Sequence, residues 1–296
     1  MASSAQEFSE TFAHIVETAG KSVVRVDGRR RAASGIAYSD KLVIAADHAV
    51  QRDESVTVYD GQKEHSAKVR GTDASTDLVL LEVDGGLTPA KWHDGQGVKV
   101  GHWVLSLARP GETVRAHSGI VSALGHKPFR AGRGGGEIDR YMESDAAHAP
   151  GFSGGPLVGL DGRVLGLNTS GLLRGQSVTI PAATVQRVVK QLEAHGEIRR
   201  SYLGLTMQPL GLPEEVRKAT NEDVGLIVVA VEPGGPSDQA GLRYGDTVLH
   251  LGDDTVKTVD DVFAYLRKDH VGEKIPVRFF RQGKVETVHV TLGARP

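Results

Sequence analysis

The stretch SDAAHAPGFSGGPLVGLDGRVLGLNTSG, residues 144 to 171, leaves this chain few folds to choose from. At its centre Ser153 is flanked by Gly151 and by Gly154-Gly155, with Pro156 three residues on. Two apolar runs follow, joined at Asp161-Gly162, a pair that closes a β-hairpin. A strand pair, not a helix, is therefore expected directly after the serine. The glycines let the backbone turn so that two N–H groups can point at one spot. A side chain at Gly151 or Gly154 would obstruct the approach to the serine.

A serine hydroxyl becomes a nucleophile when a base takes its proton and fixed N–H groups receive the charge that develops on the attacked carbonyl. GFSGG satisfies the G-x-S-x-G pattern, which belongs to the nucleophile elbow of α/β-hydrolases. That elbow runs from strand to helix, and its acid and histidine follow the serine. The hairpin after Ser153 argues against it. In a two-barrel serine protease the hairpin follows the nucleophile, and the histidine and acid come earlier. The bland alternative is a Gly-rich turn carrying an ordinary serine.

The 296 residues suffice for two domains, and 37 glycines separate short apolar runs through most of the chain, which predicts a mainly β protein. A net charge of −2 gives no global field for nucleic acid. Without cysteine there are no disulfides, no Cys-zinc site and no thiol catalysis. No metal or organic cofactor is implied by the residues. No run approaches the roughly 18 apolar residues of a membrane span. MASSAQEFSETF lacks a basic start and an apolar h-region, so as written the chain reads as cytoplasmic or as the mature part of an exported protein.

Phe8, Phe12, Ile15 and Val16 mark one face of a short helix within an N-terminal segment, residues 1–20. That face serves either its own domain or a subunit contact. SVVRV, ASGIAYS, KLVIAA, SVTVYD, HSAKVRG and DLVLLEV have the rhythm of one small barrel. HWVLSLA, TVRAHSGIVSAL, DRYMES, the Ser153 hairpin and SVTIP suffice for a second. A helix over 182–195 follows, ended by Gly196. The two-barrel domain is expected at 21–196, a polar linker at 197–201 and a separate α+β domain at 202–294.

Two upstream residues complete a constellation. His48 ends the apolar run LVIAADHAV, and Asp77 opens DLVLLEV, a strand apolar enough to be buried on both faces. A carboxylate there costs desolvation energy unless something donates to it, and an imidazole N–H is a suitable donor. Asp77 would hold His48 in the right tautomer, and His48 would take the proton of Ser153. Asp47 is a rival acid but cannot readily reach around the ring; Asp145 is another and more naturally supports the loop before the serine.

AADHAV, STDLVLLEV, SGIVSALG, SDAAHAPGFSGGPLV and DGRVLGLNTS resemble the protease domain of the HtrA (Deg) family, and YLGL with VEPGGPSDQAGLRYGDTVLHLGDD resembles its PDZ domain. The resemblance covers about residues 8 to 293. It implies a chymotrypsin-like two-barrel domain followed by PDZ, and a catalytic triad of His48, Asp77 and Ser153. The oxyanion hole would be the main-chain N–H groups of Gly151 and Ser153. It further implies ATP-independent cutting of unfolded or misfolded protein, a homotrimer, a usual setting in the periplasm or otherwise outside the cytoplasm, and C-terminal peptides bound at the PDZ domain. There Tyr202, Leu203, Gly204 and Leu205 would offer N–H groups to a terminal carboxylate, and the peptide would add to the sheet edge. The chain departs from the family at Phe152, usually asparagine, at His148-Ala149-Pro150, usually Ile-Asn-Pro, and in the short loop DGRRRAA. Phe152 is expected to alter the loop or narrow the cleft.

Ala147, six residues before the serine, is the expected base of the specificity pocket, which favours Val, Ala or Leu over Lys or Arg before the cut. Asn168, Thr169 and Ser170, in LNTSG, would form an edge strand that pairs with substrate backbone. KPFRAGRGGGEIDR, residues 127–140, is expected to be mobile and unable to pack a core, and Arg130 and Arg133 make it either an activation loop or a tolerated surface loop. A catalytically idle or chaperone-like peptide-binding scaffold is the alternative from another class.

Overall fold

The protein is described by a computed structural model covering residues 2–28, 31–50, 56–131, 136–147, 149–173, 176–198, 200–266 and 270–295. The chain divides into two compact units, residues 1–198 and residues 199–296.

The first unit opens with α1 (Ala2–Ala19). Its first barrel is built from β1 (Val23–Asp27), β2 (Ala33–Ala37), β3 (Leu42–Ala46), β4 (Val56–Tyr59), β5 (Glu64–Asp73) and β6 (Leu78–Glu82). These close in the order β1-β2-β3-β6-β5-β4, all antiparallel neighbours. Closure explains why β2 is buried along its whole length and β6 everywhere but its last residue: a barrel has no free edge and both faces here are covered.

The second sheet uses β7 (Trp103–Ala108), β8 (Arg115–Leu124), β11 (Met142–Ser144), β12 (Pro156–Gly159), β13 (Val164–Leu173) and β14 (Gln176–Pro181). Its order is β11-β8-β7-β12-β13-β14, and its end strands β11 and β14 also lie against each other, so it curls into a second barrel-like sheet. A ribbon of β9 (Phe129–Ala131) and β10 (Gly136–Ile138) projects between β8 and β11 in sequence. The expected hairpin after the serine is the β12–β13 pair, turning at Asp161-Gly162.

α2 (Ala182–His195) follows, with Gly196 left-handed at its C-terminal cap. Val185, Val188, Val189 and Leu192 lie on one face of this helix and all enter the main core, each contributing about 1.5–3 kcal/mol of burial. Ile15 of α1 joins the same core, with Phe12 and Val16 packed against it. Phe8 does not: it stays 47% exposed beside Trp103, also 47% exposed.

One expectation is corrected: the described ends of the segment 127–140 do pack, with Ile138 fully enclosed in the main core, Phe129 edge-on to Tyr141, and Asp139 N–H donating to Thr184 Oγ1. Arg133 and the Arg130 side chain lie outside the described residues, so an activation role is not addressed by the fold. In the polar stretch 197–201, Glu197 bridges to Thr72 and the next strand begins at Arg200.

The second unit contains β15 (Arg200–Tyr202), β16 (Leu205–Gly211), α3 (Glu214–Thr220), β17 (Val224–Val231), α4 (Pro236–Gln239), β18 (Thr247–Leu251), β19 (Asp254–Thr255), α5 (Val259–Leu266), β20 (Lys274–Arg281), β21 (Lys284–Thr291) and β22 (Gly293–Arg295). Its main sheet runs β16-β17-β18-β20-β21, with β15 paired to β22. Leu226, Val228, Val248, Val262, Phe279 and Val290 fill its separate core. β16 is a terminal strand of the sheet, and α5 lies beside it.

Candidate active site

Asp77 sits just before β6 with φ +59°, the left-handed region that aspartate tolerates better than most residues. That turn aims its carboxylate back across the barrel mouth at His48, which sits in a single helical turn after β3. Asp77 is 5% exposed, so every lone pair needs a donor. Oδ1 accepts the main-chain N–H of His48 at 2.9 Å, and the ring Nδ1 lies 2.8 Å from Oδ2 and 3.0 Å from Oδ1. A carboxylate only accepts, so the imidazole carries a proton on Nδ1. The hydroxyl of Thr169 donates to Oδ2.

Ser153 approaches from the second barrel. Its Oγ lies 3.2 Å from Ser170 Oγ and accepts the Ser170 N–H at 3.4 Å. The next residue, Gly171, packs so closely on the pair that a Cβ there would collide with His48 Nδ1 and Asp77 Oδ2. Three successive residues of β13 thus touch the three candidate catalytic groups: Thr169 the acid, Ser170 the alcohol and Gly171 the imidazole.

The turn holding Ser153 is fixed on all sides. Gly154 N–H donates to Asn168 O at 2.8 Å and Asn168 N–H to Gly155 O at 2.8 Å. Gly154 has φ +87°, and any Cβ on it would collide with Ser34 O, so the motif's glycine here is a packing requirement. Phe152 N–H donates to Ala149 O and Gly155 N–H to Phe152 O, at 3.1 and 3.0 Å. Among the described residues no backbone acceptor is paired with the N–H groups of Gly151 and Ser153.

The structure places the expected substrate-contact residues as follows. Within LNTSG the pairing of β13 with β12 ends at Leu167, and Asn168 pairs with Thr179 on one side and bonds the serine turn on the other. The Asn168 side chain is fully buried, donating to Ser106 and accepting from Thr179. Thr169 is buried on Asp77. Only Ser170 and Gly171 reach the surface. Ala147 is exposed, and its carbonyl accepts His117 Nδ1–H at 2.5 Å. Asp145 braces its loop, with Oδ1 taking the Ile120 N–H at 2.6 Å. Phe152 does not narrow the cleft; it is 1% exposed, stacked on His117. His148 lies outside the described residues.

Ser34, Thr169 as a partner of Asp77, and His117 were not singled out by sequence. Ser34 carried a usable signal: a polar residue in a strand otherwise apolar on both faces, the same pattern that marks Asp77.

In the second unit, Leu203 is buried and Gly204 has φ +75°. Leu203 O accepts Ser237 N–H at 3.0 Å and Gly204 O accepts Glu232 N–H at 2.9 Å. With these carbonyls turned into the fold, Tyr202–Leu205 forms a tight bend directly before the terminal strand β16. Among the described residues no cluster of side chains could hold a metal ion.

Residues 33–167 match the trypsin-like peptidase domain family and residues 201–292 the PDZ domain family. A protein named probable periplasmic serine endoprotease DegP-like, from Marinomonas sp. (strain MWYL1), is 31% identical over 306 residues, covering 98% of this chain and 64% of its own. The chain belongs to the HtrA/Deg family. A namesake from Rhizobium meliloti (strain 1021) is 35% identical over 269 residues, 87% of this chain and 52% of its own. The chain thus spans between about half and two thirds of the length of these curated relatives. The serine endoprotease of Yersinia pestis superposes with TM-score 0.75 at 26% identity, covering 96% of this chain and 98% of that one. The HtrA-type protease AlgW with a decapeptide gives TM-score 0.77 at 23% identity, covering 96% and 99%, a likeness of fold. HtrA/Deg membership matches the two-barrel domain and the PDZ domain to the two units described above.

Proposed function

We propose that the chain is an ATP-independent serine endopeptidase that cuts unfolded or misfolded protein. The observation that carries this reading is the convergence of Asp77, His48 and Ser153 on Thr169, Ser170 and Gly171 of one strand. His48 Nε2 takes the Ser153 proton as Oγ attacks the scissile carbonyl. The N–H groups of Gly151 and Ser153 receive the oxyanion, an interaction worth about 10²–10³ in rate per donor. The imidazolium, steadied by Asp77, then gives its proton to the departing amine, and water resolves the acyl-enzyme by the same route in reverse. An idle scaffold loses its one argument, because Phe152 turns into the body of the unit and leaves the serine open.

At the PDZ domain we propose capture of C-terminal peptides, the carboxylate meeting the Tyr202–Leu205 bend and the strand extending β16. The Phe8, Phe12 and Trp103 rings, with centroids 4.7 to 6.0 Å apart and with Phe8 and Trp103 each 47% exposed, support a homotrimer contact through α1. The relatives' names support a periplasmic setting. Among the described residues no helix is long and apolar enough to cross a membrane.

The test is degradation of an unfolded protein by wild type and Ser153→Ala, with mass spectrometry of the cut sites. Cuts after Val, Ala or Leu that vanish in Ser153→Ala support the reading. Intact substrate with folded wild type contradicts it.

A further inference from the structure

Ser34 lies on β2 of the first barrel with no exposed surface, between buried Ala33 and Gly35-Ile36-Ala37. A hydroxyl in such a place must be bonded. Its Oγ accepts the Arg109 N–H at 2.9 Å, which leaves its own proton for Gly151 O at 2.7 Å. Its main-chain N–H donates to Ser153 O at 3.1 Å. One residue of the first barrel therefore holds both carbonyls that bracket the nucleophile turn of the second.

The consequence follows amide by amide. A trans amide points its C=O and N–H in opposite directions. Phe152 O is taken by Gly155 N–H, so Ser153 N–H faces away from that bond. Gly151 O is taken by Ser34 and Phe152 N–H by Ala149, so the 151–152 amide is pinned at both ends. What remains free is rotation about Gly151 itself, at φ +90°, which decides where its N–H points. A glycine has no side chain to resist that rotation. The bond from Ser34 fixes the 151–152 amide, the side of that rotation from which the Gly151 N–H is aimed.

We propose that Ser34 is a positioning residue: by holding Gly151 O it keeps the Gly151 N–H turned to the oxyanion. Its own placement is set by Arg109. That guanidinium is buried and donates to Val23 O at 2.7 Å, Glu112 O at 2.7 Å and Gly20 O at 3.2 Å. The brace therefore runs from the start of β1 through Arg109 and Ser34 to the turn. The proposal rests on the peptidase reading above and adds a residue that touches neither substrate nor the reacting atoms.

The experiment compares the full-length wild type with Ser34→Ala, Ser34→Thr and Ser34→Cys. It records kcat and KM on a fluorogenic peptide and the thermal midpoint of each. Ser34→Ala is expected to lower kcat at least about tenfold with KM within about twofold, at a temperature where it is folded. Ser34→Thr, which keeps the hydroxyl, is expected to recover most of that loss. If Ser34→Ala does not fold, Ser34→Cys, a weak donor of similar size, takes its place with the same expected kcat loss. A folded hydroxyl-less variant with wild-type kcat overturns the proposal, as does Ser34→Thr folded but no better than Ala or Cys. An inert wild type that no serine reagent labels overturns the peptidase reading, and this proposal with it.

Discussion

The ring of His117 lies flat on that of Phe152, with centroids 4.6 Å apart and planes 14° from parallel. The same imidazole donates Nδ1–H to Ala147 O. One side chain of β8 thus clamps both ends of the loop that leads into Ser153, and the unusual aromatic before the nucleophile has its partner there. His117→Ala removes a stack worth about 0.5–1.5 kcal/mol and a hydrogen bond worth about 1 kcal/mol. It is expected to destabilise the first unit by about 2 kcal/mol. Both tryptophans, Trp92 and Trp103, belong to that unit, so urea unfolding followed by their fluorescence reads it directly.

Thr169 belongs to Asp77. Thr169→Val keeps the shape and deletes the donor, and hydrogen bonds to charged groups contribute about 1.5–3 kcal/mol. With the carboxylate less well held, kcat should fall about tenfold or more while KM stays near wild type. Steady-state kinetics on one peptide checks this. A raised KM with unchanged kcat would restore Thr169 to the substrate-contact role that its place in LNTSG suggests.

Gly171 lies at the surface, and the imidazole beside it is 38% exposed, so the ring can yield outward without disturbing the core. A methyl group at Gly171 would collide with His48 Nδ1. Gly171→Ala is therefore expected to push the imidazole off its acid and abolish most activity, with a thermal midpoint within a few degrees of wild type. Retained turnover would contradict the close packing of this residue on the ring.

Asp261 caps α5. Its carboxylate accepts the Lys257 and Thr258 N–H groups at 2.9 and 2.7 Å, while Thr258 Oγ1 accepts the Asp261 N–H at 3.2 Å. The Lys257 N–H, more than any other cause, holds this carboxyl below the ordinary aspartate value of 3.8, against the upward push of burial. A depressed folded value means the stabilisation is present above the unfolded value and is lost as pH falls through the folded one. The melting advantage of wild type over Asp261→Asn should therefore be full at pH 5 and shrink below about pH 4. Melts of the full chain followed by circular dichroism, at pH 5 and pH 3, check the sign.

The sequence made the punctuation of this fold readable. Asp161-Gly162 marks a hairpin that the structure contains, and the apolar spacing of 182–195 marks α2 to the residue. Ser153, His48 and Asp77 stand out because each breaks a local pattern: a serine among glycines, and polar groups at the ends of apolar strands. What stayed hidden depends on contacts between distant parts of the chain. Ser34 meets Gly151 and Thr169 meets Asp77 only once two barrels have closed, and nothing near Thr169 announces that its hydroxyl turns inward. The side-chain roles in LNTSG were hidden for the same reason: Asn168 and Thr169 spend their polarity on Ser106, Thr179 and Asp77. Ile138 was obscured by the glycines beside it.

Peptidase activity in this chain requires the imidazole at 48 to activate the hydroxyl at 153. The direct measurement is the rate at which a fluorophosphonate reagent modifies the full chain, with the modified residue located by mass spectrometry. Wild type should be labelled at Ser153 alone, Ser153→Ala not at all, and His48→Ala slower by at least about 10³-fold. Folded wild type that resists the reagent, or His48→Ala labelled as fast as wild type, would contradict it.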